Sequence, residues 1–230
     1  MITEKTFDCR EILLETLKKD TVKSLGQAVD EKGRASMLLS GGTSPGEFYK
    51  SLSGEDLPWS DIYFGLSDER WVKADHKDSN ELLVHQTLLQ NKAAKAQFVG
   101  LKSAPDDVVE GRIMSNKALE ALPRPFDIVL LGMGLDGHTA SLFPDSKDTA
   151  QALDLDNDSP TWPIRRGAGE VPRLSMSLAS LLNAHEIKLL FFGHEKWAVY
   201  AAAIGLESME RPVSFILNQA HVPVTVYWAP

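Results

Sequence analysis

The 230-residue sequence predicts an α/β fold: a doubly wound, mostly parallel sheet in a Rossmann-like three-layer α/β/α sandwich, forming a single domain over residues 1–230. Three observations carry that reading. Short apolar runs of strand length alternate with helical stretches, the arrangement that yields a parallel sheet. Several of the runs end in glycine turns, and no linker-like segment divides the chain.

The elements follow in order. From Arg10 to Glu31 the apolar residues Ile12, Leu13, Leu17, Val22, Leu25 and Val29 recur at roughly helical spacing, with Gly33 as a stop. Strand-like runs cover Ala35–Leu39, Ile62–Leu66, Ile128–Leu131, Ile187–Phe192 and Val222–Tyr227. After the Gly41-Gly42 turn, Ser44 to Glu47 combine a capping box with proline at the first helical position, so a helix starts there. Asp78 to Glu81 repeat the capping logic ahead of Leu82, Leu83, Leu88 and Leu89. Between Asp145 and Pro172 the chain is acidic and weakly patterned, which predicts surface loops with a short strand at Thr161–Ile164. No internal repeat or low-complexity tract is visible.

Composition narrows the functional classes. A lone cysteine, Cys9, excludes a disulfide framework within the chain and fits a reducing compartment. The amino terminus carries Lys5, Asp8, Arg10 and Glu11 and no long apolar run, so neither a secretory signal nor a membrane span is read, and the expectation is a soluble cytoplasmic protein. The formal charge of −8 argues against a nucleic-acid partner, since a phosphate backbone is met by a basic face. It leaves room for a small anionic substrate, because screening over about 8 Å lets a few local cations outweigh distant acids.

The most informative stretch is Phe126 to Pro144, FDIVLLGMGLDGHTASLFP, in which a buried strand runs into Gly132, Gly134 and Gly137 with Asp136 and His138 on the turn. Open α/β sheets place their chemistry at such strand ends. His138 is expected to open a short helix ended by Pro144, its imidazole set between the positive helix end and the Asp136 carboxylate, as a candidate general base. The same residues spell G-x-G-x-x-G, but a dinucleotide site needs a long helix behind the loop, Pro144 arrives too soon, and Asp136 would repel a pyrophosphate. Gly42-Thr43-Ser44-Pro45-Gly46 matches the G-x-S-x-G elbow, yet Pro45 lacks the N–H that an elbow uses as an oxyanion donor. The better reading of Ser40 to Ser44 is a glycine turn feeding a helix amino terminus, suited to a phosphate or a polar sugar group, with an ordinary strand-to-helix turn as its competitor.

Ser67-Asp68-Glu69-Arg70-Trp71 also follows a strand, at the ligand-facing edge, although three consecutive charges could equally be a solvated loop. Arg173 and Lys196 are further candidate cations for an anion, although either alone would more often be a surface charge. No metal site is read: His194-Glu195 lacks the second histidine of H-E-x-x-H, and His76, His85, His185 and His221 are scattered. The Trp and Phe residues suit core or pocket wall better than a base-stacking platform.

Together, Leu39 to Pro45, Ser67-Asp68-Glu69-Arg70, Asp78-Ser79-Asn80, Gly132 to Pro144, Pro172-Arg173-Leu174-Ser175 and Gly193 to Lys196 resemble the 6-phosphogluconolactonase family in the same order over nearly the whole chain. The resemblance implies hydrolysis of a sugar-phosphate lactone, with His138 and Asp136 as the catalytic residues. It also implies Gly41, Gly42, Thr43, Asp68 and Asn80 as substrate-binding residues, Arg70, Arg173 and Lys196 as phosphate holders, no metal or organic cofactor, and a monomer or weak homodimer. The related glucosamine-6-phosphate deaminases carry a catalytic glutamate in an Asn-Glu-Pro ending, where this chain has Phe143. A deaminase, or a non-catalytic sugar-phosphate sensor, is the alternative; the sensors of transcription regulators carry a DNA-binding segment whose basic residues the termini here lack.

Overall fold

The computed structural model describes every residue except Thr43. The chain runs β1 (Ile2–Thr6), α1 (Arg10–Lys32), β2 (Ala35–Leu39), α2 (Ser44–Leu52), β3 (Ile62–Leu66), β4 (Asp68–Arg70), α3 (Asn80–Thr87), β5 (Gln97–Phe98), α4 (Val108–Ala118) and β6 (Phe126–Gly132). It continues through α5 (Thr149–Leu153), β7 (Thr161–Ile164), β8 (Arg173–Met176), α6 (Leu178–Leu182), β9 (Ala184–Phe192), α7 (His194–Ala203), α8 (Val213–Leu217) and β10 (Val224–Ala229).

Seven strands form one sheet in the order β1-β10-β9-β6-β2-β3-β5, and every neighbouring pair is parallel. All of β2 and residues Phe126–Leu131 of β6 are buried, as expected for central strands covered on both faces. Truncating a side chain such as Leu38 or Leu130, both fully buried, would cost about 2–5 kcal/mol. The long helix α1 packs on β2, β6 and β10 and against α2, and α2 in turn meets α3. It ends where Gly33 adopts a left-handed φ of 72° and donates its N–H to the Val29 carbonyl, a turn only glycine makes without Cβ strain.

Antiparallel strands form a separate three-stranded sheet, β4-β8-β7. Only β7 of that sheet is legible as a strand in the sequence, and it occupies the expected residues. Two other expectations are corrected. The segment from Asp145 to Pro172 is not loop apart from β7, because α5 buries Thr149, Ala152 and Leu153. The acidic cap of α3 also differs: Ser79, not Asp78, is the N-cap, its Oγ accepting from the Leu82 N–H at 3.2 Å, and the carboxylate comes from Glu69 rather than Glu81. Among the described residues no helix is long and apolar enough to cross a membrane.

The strand order reverses direction between β2 and β6: the chain from β2 moves outward to β3, and the chain from β6 moves the other way to β9. The loops leaving these neighbours therefore diverge and open a crevice at the carboxyl edge of the sheet, the position where doubly wound sheets bind ligands.

Candidate active site

Four strand ends build that crevice. β2 ends in Ser40-Gly41-Gly42, where the buried Tyr49 hydroxyl of α2 donates to the Ser40 carbonyl at 2.7 Å and ties the loop to its helix. Burial pushes the Tyr49 hydroxyl well above its ordinary range, so it remains a donor. Gly42 has φ 96°, and a Cβ on Gly41 would overlap the Asn80 side-chain amide. Thr43, expected to contact substrate here, lies outside the described residues.

β3 runs into Ser67 and β4, which lies against β8 so that Arg70 is opposite Arg173. Here the charged run is not a solvated loop. Asp68 and Glu69 are buried. Asp68 Oδ2 accepts from Ser141 Oγ at 2.6 Å, and the Asn80 amide donates to the Asp68 carbonyl at 2.8 Å. Glu69 has turned away to organise the start of α3, accepting from the N–H groups of Arg70, Asn80 and Glu81 and from Ser79 Oγ at 2.8–2.9 Å. Burial pushes its carboxyl above the ordinary range while those four donors pull it back.

β6 delivers Gly132 and the turn beyond it. His138 does not open a helix; residues 133–148 are turns, with a single bridge between Thr139 and Leu142. The reason is local: the Thr139 hydroxyl donates to the Gly132 carbonyl at 2.9 Å, the Gly134 N–H donates to the His138 carbonyl at 2.9 Å, and Ala140 is held at a left-handed φ of 48°. No helix dipole therefore acts on the imidazole. Asp136 is the hydrogen-bonding partner of the ring, Oδ1 lying 2.5 Å from His138 Nδ1 and 3.2 Å from the His138 backbone N–H. A Cβ on Gly134 would overlap both partners of this pair, and Gly137 turns the chain at φ 78°. β9 runs into Gly193, φ 89°, which caps α7, whose third residue is Lys196.

These loops enclose one cleft of about 230 Å³. It is lined by the sequence-read residues Gly41, Gly42, Asp68, Arg70, Asn80, His138, Arg173 and Lys196, together with Ser40, Met133, Ala140 and Leu190. Asp136 sits behind His138 and outside the lining. The Nε atoms of Arg70 and Arg173 are buried without a protein partner, an arrangement that invites an anion. Burial draws the Arg173 guanidinium below its usual range, Arg70 and Arg166 add to this, and Asp68 opposes it. Burial also lowers Lys196, against the pull of Asp136. Among the described residues no cluster of three His, Cys, Asp or Glu side chains is placed to hold a metal ion.

Sequence reasoning missed Glu69 as a scaffold, Ser141 as the donor to Asp68, and the contacts of Phe143. Ser141 and Phe143 both lie within the His138 to Pro144 run, but the bond from Ser141 to Asp68 and the contact of Phe143 with Arg173 join residues far apart in the chain.

Comparison with known proteins places the chain in a family. The family model described as glucosamine-6-phosphate isomerases/6-phosphogluconolactonase matches residues 9–228. A 6-phosphogluconolactonase of Pseudomonas putida is 40% identical over 219 residues, covering 95% of this chain and 89% of the relative. One from Mesorhizobium japonicum is 37% identical over 224 residues, covering 97% and 94%. The crystal structure of a 6-phosphogluconolactonase from Shewanella baltica superposes with a TM-score of 0.95 at 38% identity, covering 100% of this chain and 98% of that one. The chain belongs to the glucosamine-6-phosphate isomerase/6-phosphogluconolactonase family of enzymes.

Proposed function

We propose that this protein hydrolyses 6-phospho-D-glucono-1,5-lactone to 6-phospho-D-gluconate, the second step of the oxidative pentose phosphate pathway, without a metal. The observation that carries the reading is one cleft that holds a carboxylate-oriented imidazole together with three cations from separate elements. The names of the relatives supply the substrate class.

A lactone is an activated ester, so hydrolysis needs a placed water, one proton acceptor and support for the oxyanion. Because Nδ1 of His138 is engaged by Asp136, its proton sits there and Nε2 carries the free lone pair. Nε2 takes a proton from water as the oxygen bonds to the C1 carbonyl carbon. The tetrahedral oxyanion then collapses, the C1–O5 bond breaks, and the imidazolium returns its proton to O5. Asp136 stabilises the transient imidazolium. Arg70, Arg173 and Lys196 hold the phosphate, and fixing that remote group aligns C1 with the imidazole. Asp68 and Asn80, joined through the Asp68 carbonyl, meet sugar hydroxyls.

The product acid releases a proton at neutral pH, so a pH-stat with freshly prepared lactone reads turnover directly. An ammonia assay on glucosamine 6-phosphate runs beside it. Acid release with no ammonia supports the proposal; ammonia release, or sugar-phosphate binding with neither product, refutes it. Phe143, 3% exposed, offers no carboxylate at the position where the deaminase motif has glutamate.

A further inference from the structure

Phe143 has no assigned part in the chemistry above, yet its buried ring contacts both halves of the cleft. The His138 and Phe143 ring centroids are 4.4 Å apart with 40° between planes. The Arg173 guanidinium carbon lies 4.9 Å from the same ring centroid. A second guanidinium, Arg166, lies 4.3 Å from it and is itself anchored by Asp145 at 2.8 Å. The Phe143 carbonyl accepts from Thr149 Oγ1 at 2.7 Å, which pins the residue to the start of α5.

Arg173 needs such a partner. It is half-buried, faces Arg70 across the strand pair, feels Arg166, and leaves its Nε unbonded. An isolated guanidinium so placed would gain by swinging out to water. The electron-rich face of an aromatic ring offsets part of that cost while leaving the N–H donors free for an anion. The same ring, packed against the imidazole, limits the rotation that the single Asp136 contact allows.

We propose that Phe143 is a positioning residue for the reaction: its ring fixes Arg173 and His138 relative to each other, so that the site holding the phosphate and the site taking the proton move as one unit. The inference rests on the lactonase reading. It is tested with probes that keep the shape of the ring. Phe143 is replaced site-specifically by mono-, di- and trifluorinated phenylalanine, and binding of 6-phosphogluconate is measured by calorimetry beside lactone turnover.

Affinity is expected to fall stepwise with fluorination, reaching about tenfold for the trifluorinated ring, and the dependence should vanish in an Arg173→Gln background. Phe143→Met, which keeps most of the volume without the ring, should match that loss and also lower kcat by about three- to tenfold. A role in packing alone would leave the fluorine series flat. A flat series, or an equal slope without Arg173, overturns the proposal. If the unsubstituted protein binds 6-phosphogluconate but shows no lactonase turnover, the functional reading fails while the binding series still decides the role of Phe143. Absence of binding overturns both.

Discussion

Arg70 on β4 and Arg173 on β8 are register partners in an antiparallel pair, and both leave Nε buried without a protein partner. Like charges set directly opposite each other destabilise a sheet, so under the proposed function a phosphate dianion bound between the two guanidinium groups would relieve their repulsion. 6-Phosphogluconate at about a hundred times its Kd should stabilise the protein by about 2.7 kcal/mol. For a chain of this size that is roughly 5–10 °C in Tm. Arg70→Gln and Arg173→Gln should each lose most of that shift at the same ligand concentration. A full shift in either variant, read by thermal denaturation, would remove that residue from the phosphate site.

Lys196 predicts how binding depends on pH. Burial lowers its pKa from the ordinary lysine range, so the ammonium form is lost sooner as pH rises than for an exposed lysine near 10.4. Affinity for 6-phosphogluconate should therefore decline on the alkaline side before an ordinary lysine would titrate. Lys196→Arg should flatten the decline, because a guanidinium stays charged there. Calorimetric titrations at a series of alkaline pH values check this, and parallel profiles for the two proteins would refute it.

Glu69 is a structural carboxylate serving four donors. Glu69→Gln puts an NH2 group against backbone N–H groups and leaves at least one of them unpaired, at a cost of about 1–3 kcal/mol. Because Asn80 starts α3 and lines the cleft, KM should rise as well. The pH slope follows from the raised carboxyl value: the folded state then binds the proton more tightly than the unfolded one. The Glu69 contribution is greatest below the unfolded pKa and declines as pH rises through the folded one. Glu69→Gln should lack that slope. Denaturant titrations across acidic pH measure both terms, and an unchanged stability would show the four bonds to be dispensable.

Much of this was legible in the sequence because it is local. The apolar runs of β2, β3 and β6 and the Gly33 stop of α1 each depend on residues adjacent in the chain. The strands β4 and β8 were not, since the Asp68-Glu69-Arg70 segment reads as polar and becomes buried only through Ser141, Ser79 and the start of α3. The helix expected at His138 failed for a comparable reason. A helix there competes with side-chain and backbone bonds back to Gly132 and Gly134 that propensity does not register. The gathering of the cations was read only by family resemblance, for Arg70, Arg173 and Lys196 are far apart in the chain and meet through strand order.

Gly134 is required by the pair it borders. A Cβ there would overlap His138 Nδ1 and Asp136 Oδ1, so Gly134→Ala must push the imidazole off its carboxylate. Turnover should fall at least about tenfold while the melting curve stays cooperative, given that a misplacement of about 1 Å can cost a hundredfold. Kinetics within twofold of the unsubstituted protein would show that the Asp136 contact does not set the working geometry.

The central claim is that His138 Nε2, freed by the bond between Nδ1 and Asp136, takes the proton of the attacking water. The most direct measurement is the turnover of His138→Ala in the pH-stat with fresh 6-phosphogluconolactone, alongside its affinity for 6-phosphogluconate. The account predicts a loss of about a hundredfold or more in kcat with product binding retained. Near-normal turnover in that variant would contradict it.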